Sequence, residues 1–260
     1  MTSGKQARRQ RQQVSRPPVR STEGRRASPK LLLAALSGLV LLAAAIVLVV
    51  VLGSGSGSSA TTTPTPLPET DAAVAVFRGI QQRGDVLGSP KAPVTVLEYI
   101  DMQCPSCKIF ESETMPAILD KYVRTGKVKV EARAVAIIGP DSERGARALV
   151  AAGRQNKLFT LSQVLYYNQG PENGGWLSDQ TVLDAASGLP GLDVAAFEKA
   201  LDSSAVKAQE ERYDAQRRAD NVSGTPTVYV SKAFGPRREV TPGFIPSVEQ
   251  LSAAIDAALK

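Results

Sequence analysis

The stretch VTVLEYIDMQCPSCKIFE, residues 94–111, holds both cysteines of the 260-residue chain, Cys104 and Cys107. Its first seven residues, Val94–Ile100, form a nearly unbroken apolar, β-rich run. Such a run predicts a buried central strand. From Cys104 to about Val123, the apolar residues Ile109, Phe110, Met115, Ile118, Leu119, Tyr122 and Val123 recur at helical spacing. Pro116 is expected to kink that helix and Gly126 to end it. Both thiols therefore sit where a buried strand hands over to a helix.

Four uses of the pair compete. A zinc site needs about four soft or imidazole ligands, and the chain offers two cysteines and no histidine. Covalent haem needs histidine directly after the second cysteine, where this chain has Lys108. A static disulfide closing so short a loop removes little unfolded-state entropy. A redox pair fits the position. The first thiol meets the unsatisfied N–H groups and the positive dipole end of a helix start, and both favour thiolate. Pro105 suits the first helical position, where its missing N–H costs nothing. This makes Cys104 the attacking sulfur and Cys107, one turn on, the resolving one. The lack of histidine also excludes hydrolases that pair serine or cysteine with it.

Downstream, Val128–Ala136 alternates apolar and charged residues and predicts a strand with one wet face. Residues 141–219 read as helical throughout, with segments near 143–155, 158–168, 178–187, 194–202 and 205–219. Strand signals return at Thr227–Val230 and near Arg238–Thr241, and Ser247–Leu259 reads as a closing amphipathic helix. Asp101 is taken as a loop acid near the helix start. Trp176, Tyr166 and Tyr167 are taken as packing residues, and Arg237-Arg238 as a solvated hairpin.

The net charge of +6 is misplaced for a nucleic-acid binder. Residues 1–30 carry nine Lys or Arg and one Glu, which leaves the other 230 residues at −2. That tail reads as disordered. Residues 31–52 are apolar apart from Ser37 and Gly38. As a helix they span about 33 Å, against about 30 Å for a bilayer core. A signal peptide's apolar region is shorter, about 7–15 residues. The expectation is a retained single-pass anchor, with its basic flank keeping the N-terminus cytoplasmic. Residues 53–70, rich in Gly, Ser, Thr and Pro, read as a linker of roughly 20–25 Å. Residues 71–260 then form the extracytoplasmic domain.

The stretch quoted above, together with GTPTVYV at Gly224–Val230, resembles the DsbA-like thiol–disulfide oxidoreductases of the thioredoxin superfamily. The resemblance covers roughly residues 75–260. It implies an α/β thioredoxin-like fold with a helical domain inserted at about 141–219. It implies a cis proline at Pro226, preceded by Thr225, facing the sulfurs and offering a backbone edge to a client strand. It implies that Glu98 helps move protons at the resolving cysteine, with a pKa raised by burial. The best-known members carry histidine between the cysteines, whereas this chain carries Ser106. A Cys104 pKa below the free value of about 8.5, yet above the extreme of about 3.5, is therefore expected.

The resulting expectation is a membrane-anchored oxidase that forms disulfides in reduced secreted or envelope proteins and is reoxidised by a membrane partner. It needs no metal and no cofactor beyond the Cys104–Cys107 disulfide. A reductase or isomerase, and a non-catalytic tethered peptide-binding module, remain the alternatives.

Overall fold

The computed structural model describes residues 63–233 and 235–260. The tail, the apolar run 31–52 and most of the stretch read as a linker lie outside the described residues. Among the described residues, no helix is long and apolar enough to cross a membrane.

Six strands form one sheet in the order β1-β2-β4-β3-β5-β6. They are β1 (Gln82–Arg83), β2 (Val86–Leu87), β3 (Val94–Ile100), β4 (Val128–Ala134), β5 (Thr227–Lys232) and β6 (Arg238–Glu239). β3 lies in the middle, parallel to β4 and antiparallel to β5. All of its residues except Thr95 are buried, as its apolar run predicts. β4 alternates buried and half-buried residues along its length, which matches its sequence alternation. β1 and β2 had no counterpart in the sequence reading. Two residues each are too few for a period to show, and pairing with β4 at Val86↔Glu131 and Leu87↔Val130 fixes β2. The helix α1 (Thr70–Val76) was likewise not anticipated. Chain order ahead of it begins earlier than the sequence suggested: the Thr65 N–H donates to Asp184 Oδ1 at 2.8 Å.

The helix that carries the cysteines, α2, runs from 105 to 123. It is α-helical at Pro105–Ile109 and Met115–Ile118, with π turns at Phe110–Thr114 and Leu119–Val123. Pro116 cannot donate back to residue 112, and its ring crowds the preceding turn. The expected kink therefore takes the form of widened turns on either side. Phe110, Ile118, Leu119 and Tyr122 are fully buried on this helix, each contributing roughly 1.5–3 kcal/mol of burial. Gly126 ends the connection at φ 73°, a conformation that favours glycine.

Five helices separate β4 from β5: α3 (Pro140–Gly153), α4 (Leu158–Tyr167), α5 (Asp179–Ser187), α6 (Val194–Leu201) and α7 (Ser204–Ala219). The closing helix α8 is Val248–Leu259. Ser178, Asp193, Ser203 and Ser247 each cap a helix by accepting an N–H of its first turn. Such caps are worth about 1 kcal/mol each, and they explain why the sequence boundaries of α5, α6, α7 and α8 agree within a residue or so. α8 packs on β5, β3 and the middle of α2, while α3 and α7 pack against β4.

Candidate active site

Cys104 is the N-cap residue of α2, with extended backbone at φ −74° and ψ 115°. Pro105 follows at the first helical position. The Cys104 sulfur accepts a hydrogen bond from the Cys107 N–H at 3.3 Å, one of the free amides of a helix start. On its other side the Cys104 thiol donates to the Thr225 carbonyl at 3.0 Å, across 121 residues of sequence. The Thr225–Pro226 peptide bond is cis. Cys104, Cys107, Pro105, Ser106, Thr225 and Pro226 are thus brought to one place by the meeting of a helix mouth and a loop.

The two sulfurs are free thiols in unlike surroundings. Cys104 keeps 5% of its surface exposed and Cys107 none. The thiol of Cys107 donating to Cys104 is the foremost cause holding the Cys104 pKa at about 6; burial opposes it, while the Thr225 side chain and the N–H groups of Cys107 and Ser106 assist. That value lies between the free thiol and the extreme expected when histidine separates the cysteines. Burial pushes the Cys107 thiol well above its ordinary range, and the neighbouring Cys104 adds to the rise.

A second buried site joins β3 to α2. Glu98 on β3 is 1% exposed and Glu111, on the first π turn of α2, is 5% exposed. The two acids interact, and the buried oxygens Glu98 Oε2 and Glu111 Oε1 have no hydrogen-bond partner among the described residues. Burial, and then the charge of Glu111, raises Glu98 well above the usual carboxylate range. Burial lifts Glu111 to about 7. Two like charges in contact away from water are costly to ionise together, so the pair retains a proton near neutrality. Glu98 therefore sits on the buried side expected of it. Glu111 was missed, because in the run Glu111-Ser112-Glu113 nothing in the sequence marks which acid faces inward. The π turn places it facing inward, and such turns recur at functional sites.

The loop before Cys104 is held by a polar network. Asp101 is fully buried. Its carboxylate accepts the N–H groups of Gln103 at 2.9 Å, Ile137 at 2.8 Å and Ile138 at 3.1 Å. This is the structural role the sequence reading gave it. From the helical insertion, Tyr166 donates to the Asp101 carbonyl at 3.2 Å. Gln169 donates to the carbonyls of Met102 at 2.9 Å and Cys104 at 3.2 Å. Gln103 donates to Ser142 Oγ at 3.0 Å. Tyr166 is pushed up by burial first, and then by the charges of Cys107 and Glu111. Gln169 and Gln103 carried no signal in the sequence, because isolated amides have no period or spacing to betray them.

A cleft of about 230 Å³ opens beside the sulfurs, lined by Ser106, the 221–227 loop, Tyr229, Phe244 and Ile245 among others. Phe244 is 78% exposed and Ile109, two residues after Cys107, is 44% exposed. A larger cavity, about 520 Å³, lies between the β5–β6 hairpin and α8. The smaller cleft is lined by Ser106, Thr225 and Pro226, which flank the cysteines, so the chemistry belongs there.

Residues 81–257 match the protein family described as Thioredoxin. The chain is 29% identical over 177 residues to the probable disulfide bond formation protein D of Bacillus cereus, covering 67% of this chain and 78% of that one. Its fold is similar to that of oxidised BdbD from Bacillus subtilis, with a TM-score of 0.60, 23% identity, and coverage of 76% of this chain and 97% of that one. A thioredoxin-like oxidoreductase from Silicibacter pomeroyi gives a TM-score of 0.53 at 26% identity, covering 74% and 97%. With the family matched over more than half its length, and with the helical block inserted between β4 and β5, the chain belongs to the thioredoxin family in its DsbA-like form.

Proposed function

We propose that this protein is an extracytoplasmic thiol–disulfide oxidoreductase that introduces disulfides into secreted or envelope proteins through Cys104 and Cys107. The observation that carries the reading is the asymmetry of the two sulfurs. One caps a helix mouth and accepts the Cys107 N–H there, beside a cis-proline loop and an open cleft. The other is sealed beneath it. A thiolate stabilised in the reduced form makes the disulfide easier to reduce, and so makes the protein an oxidant.

In the oxidised enzyme, a client thiolate attacks Cys104 Sγ. The Cys104–Cys107 bond breaks, and its electron pair goes to Cys107 Sγ, which takes a proton from the Glu98–Glu111 pair. The client's second thiolate then attacks the client sulfur of the mixed disulfide. Cys104 leaves as a thiolate, which its surroundings favour. The client has lost two electrons and the enzyme has gained two. A membrane partner that accepts those electrons restores the disulfide. The backbone of the Thr225–Pro226 loop pairs with an extended client, which suits unfolded chains because it reads main chain. The length of the apolar run 31–52 and its basic flank support a single-pass anchor with this domain outside.

Two substitutions test the assignment. Cys104→Ser is expected to abolish oxidation of a reduced protein, and Cys107→Ser to accumulate mixed disulfides at Cys104. A Cys107→Ser protein that collects no adducts would refute the roles given to the sulfurs.

A further inference from the structure

The β5–β6 connection carries Arg237, which the sequence presents as one half of an exposed arginine pair. Its guanidinium is not idle. Arg237 Nη1 donates to Asp220 Oδ2 at 2.7 Å and Nη2 to Asp220 Oδ1 at 2.7 Å. Such a two-pronged pair fixes both position and orientation. The same carboxylate accepts the hydroxyl of Tyr99 at 2.6 Å. Tyr99 belongs to the central strand β3 and is fully buried. Asp220 directly follows α7, and its side chain is only 15% exposed. One acid therefore joins three parts of the fold that are distant in sequence.

Its place in the chain gives that junction a consequence. Asp220 begins the short segment that ends in Thr225 and Pro226. The residues after it, from Asn221 to Thr227, form one wall of the cleft beside Cys104. Tyr229, on the same wall, rests edge-on against Tyr99 with ring centroids 6.3 Å apart. Its hydroxyl donates to the Asp220 carbonyl at 3.4 Å, and Arg237 lies 5.8 Å over its ring. Farther along, the loop is tied more lightly. Arg217 donates to the Val222 carbonyl at 2.9 Å and Thr227 to the Gly224 carbonyl at 2.8 Å, while Ser223 and Gly224 are exposed. The base of the loop is tied more firmly than its exposed tip.

We propose that Asp220 is a positioning residue for client capture: clamped by Tyr99 and Arg237, it sets the wall of the cleft against which a client strand is laid beside Cys104. This rests on the reading of Cys104 and Cys107 as a client-oxidising pair. The clamp sets the client's footing through the 221–227 wall, while the Cys104 sulfur is held from α2 by the Cys107 N–H at 3.3 Å and meets the loop at the Thr225 carbonyl, 3.0 Å away.

The test compares full-length wild type with Asp220→Ala, Arg237→Ala and Tyr99→Phe, using oxidation of a reduced two-cysteine peptide and equilibration with glutathione. Asp220→Ala is expected to raise KM for the peptide about 10-fold, with kcat and the glutathione equilibrium constant within about twofold of wild type. Arg237→Ala and Tyr99→Phe, each removing one arm of the clamp, are expected to raise KM by smaller factors. Should Asp220→Ala fail to fold, the two single-arm variants decide. KM unchanged in both of them overturns the clamp. So does a fall in kcat that matches the change in KM, since that would be a general loss of structure. If the wild type leaves the peptide reduced while still equilibrating with glutathione, the reading of the site falls and the clamp with it.

Discussion

The mouth of α2 and the floor beneath it contain the same kind of chemistry under opposite rules. At the mouth, backbone amides and a neighbouring thiol donate to one sulfur, and its pKa falls to about 6. At the floor, Cys107, Glu98 and Glu111 are buried, and burial raises all three. The lesson is that proximity in sequence decides little. Cys104 and Cys107 share a helical turn, yet one is stabilised as an anion and the other as an acid. Thiol exchange needs that division: a good leaving thiolate outside and a proton reserve inside.

The sharpest way to break the comparison is to ask each sulfur to react alone. At pH 7, the thiol left in Cys107→Ser is expected to be alkylated at least about 100-fold faster than the thiol left in Cys104→Ser, since only thiolate reacts and only Cys104 is both ionised and accessible. Serine at 107 can still donate a hydrogen bond to Cys104. Alanine cannot, so Cys107→Ala is expected to move the Cys104 pKa up towards about 8.5, read from the absorbance of the thiolate. Alkylation rates within tenfold of each other would erase the distinction between mouth and floor.

A smaller effect probes the floor itself. In the proposed scheme, Glu111 shares the proton that Cys107 takes on reduction. Glu111→Gln keeps the shape but has no proton to give. The step in which a client reduces the enzyme is expected to slow about 10-fold at pH 7, a modest share of what a positioned acid supplies. The sign in pH follows from the raised carboxyl. A protonated acid is required, so the wild-type rate per client thiolate falls as pH rises through about 7. The variant's rate is expected to stay flat there. Stopped-flow reduction from pH 5.5 to 8.5 measures this, and equal slopes would leave Glu111 without a part in proton transfer.

The mouth was legible in the sequence and the floor only half so, for physical reasons. Cys104, Pro105 and Cys107 announce themselves because a thiol pair after an apolar strand has few other uses, and Pro226 came from the resemblance, whose second motif stands at Gly224–Val230. Glu98 was found from the resemblance alone. Glu111 was not, because the π turn that faces it inward arises from Pro116 crowding the helix, and a reading at ideal helical spacing does not see a widened turn. Asp220 and Arg237 escaped for a different cause. Their pairing joins the end of α7 to a hairpin, and charges that meet only through tertiary contact leave no trace in local spacing. The short strands β1 and β2 belong to the same class, fixed by β4 and not by their own two residues.

The smallest expected effect concerns stability, and it separates the reduced enzyme from the oxidised one. A thiol whose folded pKa is depressed to about 6, against about 8.5 unfolded, stabilises the reduced fold fully only above the unfolded value and loses that contribution as pH falls through about 6. At pH 7 this amounts to about 1.4 kcal/mol, and at pH 5 to almost nothing. The oxidised form has no thiolate and no such gain. The raised carboxyls of Glu98 and Glu111 are present in both forms, so their cost largely cancels in the difference. Above about pH 8.5 the Cys107 thiol acts the other way, because the unfolded chain ionises it and the folded one does not. Urea denaturation of both redox forms at pH 5 and pH 7 is therefore expected to show the reduced form gaining about 1.4 kcal/mol on the oxidised form between the two. A difference that does not change with pH would mean that Cys104 is no more acidic folded than unfolded, and the mouth of α2 would then be electrostatically no different from its floor.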